Sequence, residues 1–381
     1  MPYKKLASGY TTGTCAQAAT KAAMQMLFSG AVVQRVQVKL PKGALYTLEV
    51  LEQKISYAEE KSHLPVRVSC AVRKDSGDDP DITNGILVYS TVERIEKRGI
   101  FLEGGEGIGR VTKPGLDQPV GRAAINRVPR QMIQKEIEEI CEDTGYAGGI
   151  RVTISIPGGR ELAQKTFNPR LGVEGGLSIL GTSGIVEPMS EQALLDTIRV
   201  ELRMKRAQGR EYLVTAPGNY GREFLESEYG IREEEIITCS NYVGQTIDMA
   251  AEFGFRGMVL AGHIGKLIKV SGGIMNTHSK WADCRMELLA AAALRAGISG
   301  ERACALLNCV TTDEALDRFS EEDRQRVMSC IMEKIEKYLT YRAPEEMKIG
   351  ALVYSNQYGI LGKTEQADKL MKACVRKSEK E

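Results

Sequence analysis

The sequence lacks the patterns that mark several common classes of protein. Its nine cysteines include no CxxC pair, which excludes the usual zinc and dithiol redox motifs. The formal net charge of +1 argues against nucleic acid or an acidic membrane as the main partner. No apolar run reaches about 18 residues and the N-terminal MPYKKLASGYTTGT has no apolar core, so neither a membrane span nor an export signal is expected. Cysteines within helical and strand patterns favour a reducing, cytoplasmic location.

The length of 381 residues predicts two domains, because one ordinary core does not extend over so long a chain. Residues 1–172 are predicted to form an α+β domain with a mixed or antiparallel sheet. Residues 173–381 are predicted to form a doubly wound, mostly parallel α/β domain, because short apolar strands alternate there with helices. Its first strand is predicted at Leu177–Leu180.

Two of the three histidines fall in the stretch Val259–Glu287, whose pattern predicts strand, polar loop, strand, polar loop and helix. The second strand is predicted at Leu267–Val270, and the helix from Lys280 to about Ala296 with Thr277 or Ser279 as N-cap. Loops just past strand ends bind ligands in α/β sheets. Four polar residues here are therefore candidates for a site: His263, Lys266, His278 and Asp283. The alternative is that the histidines are hydrogen-bonded structural residues and that Asp283 complements the helix dipole.

The turn Gly9–Ala16 precedes an amphipathic helix with a buried stripe of mostly alanine, which is predicted to end near Gly30. Hydroxyls and amides at a helix N-terminus can hold a carboxylate or phosphate. Thr11, Thr12 and Thr14 are therefore candidates for substrate binding. A plain helix cap is the alternative, although one cap needs only one hydroxyl.

The run Lys74–Asp81 carries four carboxylates. A hard cation is one interpretation, but the run lacks the alternation and closing glutamate of an EF-hand loop, and a turn built on aspartates is commoner. In a third interpretation, mutual repulsion leaves one aspartate protonated, which makes Asp78 a candidate acid or base.

Two loop regions carry an excess of cations and favour a small polyanion as ligand. Residues 107–130 hold five basic residues against Asp117, and residues 158–170 hold three against Glu161. The candidates for substrate binding are Lys113, Arg160 and Arg170. Scattered solvated surface cations are the alternative.

The turn Gly181-Thr182-Ser183-Gly184, after the first predicted strand, is a candidate for nucleotide or cofactor binding, because this end of a parallel sheet binds the adenosine half of cofactors. A plain tight turn at Gly181–Gly184 is the alternative. The run Glu103–Arg110 fails the dinucleotide fingerprint and GHIGK fails the Walker pattern, so a kinase or NTPase is only weakly supported.

Long phrases of the sequence, taken in order, resemble one family. They are GYTTGTCAQAATKAA, KDSGDDPDIT, GGEGIGRVTKPGL, VGRAAINRVPRQMI, KTFNPRLGVEGGLSILGTSGIVEPMS, CSNYVGQTID, GHIGK and NTHSKWADCRMELLAA. Over about three quarters of the chain they resemble the cobalt-precorrin-5B C-1-methyltransferase family, CbiD, of anaerobic cobalamin biosynthesis.

The resemblance implies that S-adenosylmethionine donates a methyl group to C-1 of a cobalt tetrapyrrole, giving cobalt-precorrin-6A. Cobalt would arrive within the substrate, and no metal site of the protein's own is expected. Acid or base roles would fall, in order, to His263, His278, Asp283 and Asp78. The cofactor would lie over Gly181–Gly184, with Asn219 and Asn241 near the ends of neighbouring strands. A non-catalytic tetrapyrrole carrier and another nucleotide-dependent transferase remain alternatives. No nucleic acid or membrane partner is expected, and a homodimer is possible.

Overall fold

The computed structural model describes residues 6–58 and 64–375. It is a mixed α/β protein, as predicted, and it divides into two compact units between Ser190 and Glu191. The boundary predicted between residues 172 and 173 stays a prediction. No helix in the described ranges is both long and apolar enough to cross a membrane.

Unit 1, which ends at Ser190, is built mainly of strands. Its elements are β1 (Gly9–Tyr10), α1 (Thr12–Ser29), β2 (Arg35–Lys39), β3 (Leu45–Glu49), β4 (Leu51–Tyr57), β5 (Pro65–Arg73), β6 (Leu87–Ile95), β7 (Gly99–Gly104), β8 (Arg110–Val111), α2 (Arg127–Thr144), β9 (Gly149–Ser155), α3 (Gly159–Ala163), β10 (Val173–Glu174) and β11 (Ile185–Val186). Five strands form a sheet of order β4-β5-β6-β9-β7, antiparallel except for the parallel pair β7 and β9.

Helix α1 supplies the centre of the unit 1 core. Its alanines, with Cys15, Met24 and Leu27, are fully buried. The small side chains let the helix lie close to the sheet and to α2, since an alanine stripe leaves little bulk between backbones. The helix ends as predicted, at Gly30 in the left-handed conformation with φ 70°.

Unit 2, which begins at Glu191, alternates strands with helices. Its elements are α4 (Glu191–Ala207), β12 (Tyr212–Ala216), α5 (Asn219–Tyr229), β13 (Ile236–Thr238), α6 (Val243–Glu252), β14 (Gly257–His263), α7 (Ile264–Val270), α8 (Arg285–Arg295), α9 (Gly300–Leu306), α10 (Thr312–Leu316), α11 (Glu321–Arg342), β15 (Lys348–Ser355), β16 (Gly359–Lys363) and α12 (Ala367–Val375).

The unit 2 sheet has the order β13-β12-β14-β15-β16 and is parallel except for β16. Alternate residues of β14 enter two separate clusters: Met258 and Leu260 face one, and Val259 and Ala261 face the other. Helices therefore cover both faces of the sheet, which explains why the strand reads as an unbroken apolar run. From β12 the chain moves to β13 on one side and then to β14 on the other, so the strand order reverses between β12 and β14.

Two predicted strands and the start of one predicted helix differ from the structure. Leu267–Val270 belongs to helix α7, not to a strand: Ile264, Leu267 and Ile268 are buried at helical spacing, and His263 caps the helix with its ring. The helix predicted from Lys280 begins instead at Arg285, with Cys284 as N-cap, so Asp283 lies outside it and shares no helical face with Glu287. The hydroxyl of Thr277, one of the two predicted caps, bonds to Asn241.

The strand predicted at Leu177–Leu180 does not open the parallel sheet. Leu177 and Ile179 form isolated bridges with Ile108 and Ile125, all within unit 1. The turn Gly181–Gly184 therefore follows no strand of the unit 2 sheet, because tertiary pairing overrode the apolar pattern on which the prediction rested.

Candidate functional site

The carboxyl ends of β12, β13, β14 and β15 meet at one edge of the unit 2 sheet, which we call the carboxyl edge. In open α/β sheets ligands bind at this edge where the strand order reverses. Here the reversal lies between β12 and β14. The predicted residues that follow or end these strands are Asn219, Asn241, His263 and Lys266.

Lys266 links the ends of the two central strands. It lies in the first turn of α7, after β14, and its Nζ donates to the carbonyl of Pro217, after β12, at 2.9 Å. Burial lowers the pKa of Lys266, and Lys269 lowers it further, against an opposing effect of Cys239. The Pro217 carbonyl takes one of the three N–H donors of the ammonium, so the other two can serve an anionic ligand.

His263 ends β14 and is the N-cap of α7. Its Nδ1 accepts the amide N–H of Gly265 at 3.1 Å, and its Nε2 lies 3.5 Å from Oδ2 of Asp313. The ring meets Tyr354 edge-on, with centroids 5.6 Å apart. Burial lowers the pKa of His263, while the Asp313 carboxylate opposes that shift. The Gly265 amide therefore fixes the imidazole through Nδ1, and Nε2 lies beside the Asp313 carboxylate.

Asp313 and Ser355 belong to this edge but were not among the sequence predictions. The hydroxyl of Ser355, the last residue of β15, donates to Oδ1 of Asp313 at 2.5 Å. Both lie far from His263 along the chain, and no local motif marks them. What brings Ser355 close to His263 is the parallel pairing of β14 with β15, which places His263 opposite Tyr354, the residue before Ser355.

Asn241 anchors the loop that carries the second candidate histidine. The amide of Thr277 donates to the Asn241 carbonyl at 2.9 Å, and the buried Lys269 ammonium donates to the Thr277 carbonyl at 3.0 Å. His278 follows in an exposed turn, where its Nδ1 accepts the amide N–H of Lys280 at 3.0 Å. The loop is thus tied to the end of β13, with His278 facing solvent in unit 2.

Asn219 opens α5 and is exposed, and its Oδ1 accepts a hydrogen bond from Arg222 at 2.5 Å. A Cβ added to Gly218 would meet nothing within 4 Å, so the surface after β12 is open. At the end of β13, the buried Oγ1 of Thr238 has no hydrogen-bond partner among the described residues.

Asp283 is exposed and pairs with Arg285, whose Nε lies 2.5 Å from Oδ1. The hydrogen bond from Arg285 holds the pKa of Asp283 below its usual range, which makes it a weak base. Its assignment as an acid or base stays a prediction.

In unit 1, the protein's own backbone occupies the threonine turn. Thr11, Thr12 and Thr14 are buried; the Thr14 hydroxyl donates to the Gly184 carbonyl at 2.7 Å, and the amide of Gly13 donates to Leu180 at 3.0 Å. The Thr12 hydroxyl accepts the Leu180 amide at 3.0 Å. This packing accounts for three threonines without a ligand, and a role in binding substrate stays a prediction.

The turn Gly181–Gly184 packs against the same threonines. A Cβ on Gly181, whose φ is +131°, would lie 2.2 Å from Oγ1 of Thr11. The structure therefore joins two motifs that the sequence predictions kept apart, while Asn219 and Asn241 belong to the other unit. The cofactor role of Gly181, Thr182, Ser183 and Gly184 stays a prediction.

The aspartate run is a turn built around a buried lysine. Nζ of Lys74 lies 2.5 Å from Oγ of Ser76 and 2.6 Å from Oδ2 of Asp81. Burial would raise the pKa of Asp81, but hydrogen bonds from Lys74 and Thr83 hold it below its usual range. Asp78 accepts the amide of Ala7 at 2.7 Å. No group of His, Cys, Asp or Glu in residues 6–58 and 64–375 is arranged to hold a metal ion.

The two basic loops meet in unit 1. Strand β8 pairs with β10, the amide of Ile156 donates to Glu106 at 2.8 Å, and the Lys113 side chain lies against Gly172. Lys113 and Arg170 are partly exposed, and Arg160 is exposed on α3. The cations predicted to bind a polyanion thus share one region.

Comparison with known proteins decides the family. The family described as CbiD matches residues 2–188, and that described as CbiD, C-terminal domain, matches residues 276–365. The chain belongs to the CbiD family.

Relatives of this CbiD protein share one name, cobalt-precorrin-5B C(1)-methyltransferase. The relative from Ruminiclostridium cellulolyticum is 47% identical over 93% of this chain and 90% of its own. That from Alkaliphilus metalliredigens is 43% identical over 97% and 95%. A crystal structure of the cobalamin biosynthesis protein cbiD from Archaeoglobus fulgidus aligns with a TM-score of 0.38 and 27% identity, over 74% of this chain and 84% of that chain.

Proposed function

We propose that the protein is a cobalt-precorrin-5B C(1)-methyltransferase, which transfers methyl from S-adenosylmethionine to C-1 of the cobalt tetrapyrrole to give cobalt-precorrin-6A in cobalamin biosynthesis. The observation that carries the proposal is that the sequence similarity to relatives of this name extends over most of the chain. Relatives of that name, 43% and 47% identical, span 90% or more of both chains.

The residues of the carboxyl edge fit a methyl donor with an adenosine half. The surface after Gly218 is open, Thr238 offers a buried hydroxyl with no partner among the described residues, and the carboxamides of Asn219 and Asn241 flank two strand ends. S-adenosylmethionine, when bound, supplies an electrophilic methyl group. Asn219, Asn241 and Thr238 are the residues we assign to hold it, because polar groups at strand ends recognise such ligands.

The substrate's acetate and propionate groups call for cations that retain free donors. In unit 2, Lys266 has donors to spare beyond Pro217. The roles predicted from the basic loops of unit 1 for Lys113, Arg160 and Arg170 stay separate predictions. Holding the macrocycle rigidly is the protein's main contribution, because methyl transfer requires the reacting carbon to lie in line with the methyl group.

The test is mass spectrometry of the corrinoid pool after anaerobic incubation of the purified protein with cobalt-precorrin-5B and methyl-deuterated S-adenosylmethionine. A labelled methyl group on the macrocycle supports the proposal. We expect Lys266→Met to lower kcat/KM about tenfold or more, while Lys280→Met, an exposed lysine of the same unit, leaves it unchanged. Binding of the tetrapyrrole without label transfer would favour a carrier, and binding of ATP or NAD in place of S-adenosylmethionine would favour another transferase.

A further inference from the structure

The hydroxyl of Ser355 has a single possible direction for its proton. Its Oγ accepts the backbone amides of Gln357 at 3.1 Å and Tyr358 at 3.3 Å, which leaves the one hydroxyl proton for Oδ1 of Asp313 at 2.5 Å. Ser355 is 1% exposed, so water does not compete for this bond. Oδ1 of Asp313 must therefore be an acceptor, so this carboxyl oxygen carries no proton.

The imidazole of His263 is constrained in the same way. The amide of Gly265 can only donate, so Nδ1 carries the lone pair and the neutral ring carries its proton on Nε2. Nε2 faces Oδ2 of the same Asp313 carboxylate at 3.5 Å. The two constraints thus converge on one side chain, with Ser355 on one oxygen and His263 beside the other.

A second proton on His263 would have to displace the Gly265 amide from Nδ1. Charged groups on the neighbouring elements include Asp313 on α10, Lys266 on α7 itself and Glu223 on α5. Burial and, secondarily, Glu223 raise the pKa of Tyr354 on β15 to about 12 and keep it neutral. Asp313 is the group that favours an imidazolium against the effect of burial, and it lies at 3.5 Å, beyond the distance of a strong hydrogen bond. The geometry therefore favours a neutral ring that donates through Nε2.

We propose that Asp313, fixed by Ser355, is a positioning residue that holds His263 as a neutral Nε2–H hydrogen-bond donor at the carboxyl edge, so that His263 serves the bound ligands as a donor and not as a base. The assignment rests on the proposed function for the identity of those ligands. The arrangement of protons is a property of the protein alone, and it can be tested without any ligand.

Imidazole nitrogen NMR tests the arrangement directly, because the chain has only three histidines. In uniformly ¹⁵N-labelled protein, with the His263 signals assigned by their loss in His263→Gln, we expect the Nε2–H tautomer at neutral pH and a pKa below that of a free imidazole. Asp313→Asn should lower this pKa further, because it removes the carboxylate that favours the cation. The control, Glu301→Gln, removes an exposed carboxylate from the first turn of α9 and should leave the pKa unchanged.

An Nδ1–H tautomer, or a pKa of His263 that does not respond to Asp313→Asn, would overturn the proposal whether or not methyl transfer is observed. The second readout is the labelled-methyl assay. We expect His263→Ala to lower kcat about 100-fold and His263→Gln, whose carboxamide can donate, to recover about tenfold of that loss. Asp313→Asn and, more weakly, Ser355→Ala should lower kcat with little change in KM. Equal loss in the alanine and glutamine variants would overturn the assignment of His263 as a hydrogen-bond donor to the bound ligands.

Discussion

Two regions of this protein are both rich in glycine and polar residues, but their side chains are arranged in opposite ways. In unit 1 the threonine turn, the aspartate run and Gly181–Gly184 direct their hydroxyls, amides and carboxylates at one another. At the carboxyl edge of unit 2, Lys266 uses one donor of three and Asn219 stays exposed. Glycine-rich and hydroxyl-rich loops therefore do not by themselves indicate a ligand site, because the same groups tie distant chain segments together.

The difference follows from what each region must hold in place. In unit 1 the segments near residues 6–14, 74–81 and 178–189 form almost no regular strand among themselves, so side chains and turn amides make the connections. In unit 2 the strands satisfy one another's backbone groups, which leaves the side chains at their ends available. If this comparison is right, changes in these three unit 1 segments act on stability and changes at the carboxyl edge act on catalysis.

The largest expected effect is that of Lys74→Met in unit 1. The Lys74 ammonium is buried, and its loss leaves the Asp81 carboxylate, 26% exposed, without its cation. We expect the free energy of unfolding to fall by about 3 kcal/mol, measured by urea denaturation. Lys165→Met, at an exposed lysine of the same unit, is the control and should have little effect. Adding Asp81→Asn should recover part of the loss; no recovery would mean that Asp81 is not the partner that matters.

Gly181→Val should have the next largest effect. The residue has φ +131°, and a side chain would run into Thr11, so we expect a loss of about 2 to 3 kcal/mol. Gly175→Val separates the two causes, because Gly175 has a positive φ but open space around it, and should cost about 1 kcal/mol. Should Gly181→Val instead leave stability intact and abolish binding of S-adenosylmethionine, the turn would be a cofactor loop.

The sequence predicts whether a segment is a helix or a strand better than it predicts which residues the loops contact. The apolar runs of β12 and β14 and the alanine stripe of α1 predict their elements, because burial imposes a period on each. Leu267–Val270 was misread as a strand, since the cap that starts α7 is a histidine ring, which is not a usual capping group.

The partners within the site could not be predicted for a different reason. Asp313 and Ser355 reach His263 only through the register of β14 with β15 and the position of α10, neither of which is encoded locally. Likewise, the hydrogen bond from the Thr14 hydroxyl to the Gly184 carbonyl joins residues that are far apart in the chain. The sequence motifs shared with the family mark groups of residues but do not show which of those residues contact one another.

Thr14→Val tests the structural interpretation of the threonine turn with a smaller change. Valine keeps the shape but removes the buried hydroxyl and leaves the Gly184 carbonyl without that donor, so we expect a loss of about 1 to 2 kcal/mol in unfolding free energy. Thr182→Val, at an exposed position, is the control and should stay within about 0.5 kcal/mol of the parent. KM for the tetrapyrrole should be unchanged, and a large rise in KM at intact stability would restore the prediction that Thr14 binds substrate.

The smallest expected effect is a difference between the two units in the pH range over which each loses stability. In unit 1 the pKa of Asp81 is below its ordinary value of 3.8, so its contribution to stability is complete above about pH 4 and is lost as the pH falls through the folded-state pKa. In unit 2 the pKa of His263 is below its ordinary value of 6.5, so the unfolded chain takes up the proton first, and stability begins to fall once the pH drops below about 6.5.

Hydrogen exchange followed by mass spectrometry resolves peptides from each unit. We expect protection in unit 2 to weaken between pH 7 and 5 in the parent relative to His263→Gln, while protection in unit 1 changes only near pH 4 and below, relative to Asp81→Asn. If unit 2 showed no difference between the parent and His263→Gln over that range, the imidazole would not be held neutral. The contrast between the carboxyl edge of unit 2 and the mutually hydrogen-bonded loops of unit 1 would then not extend to the pKa values of their side chains.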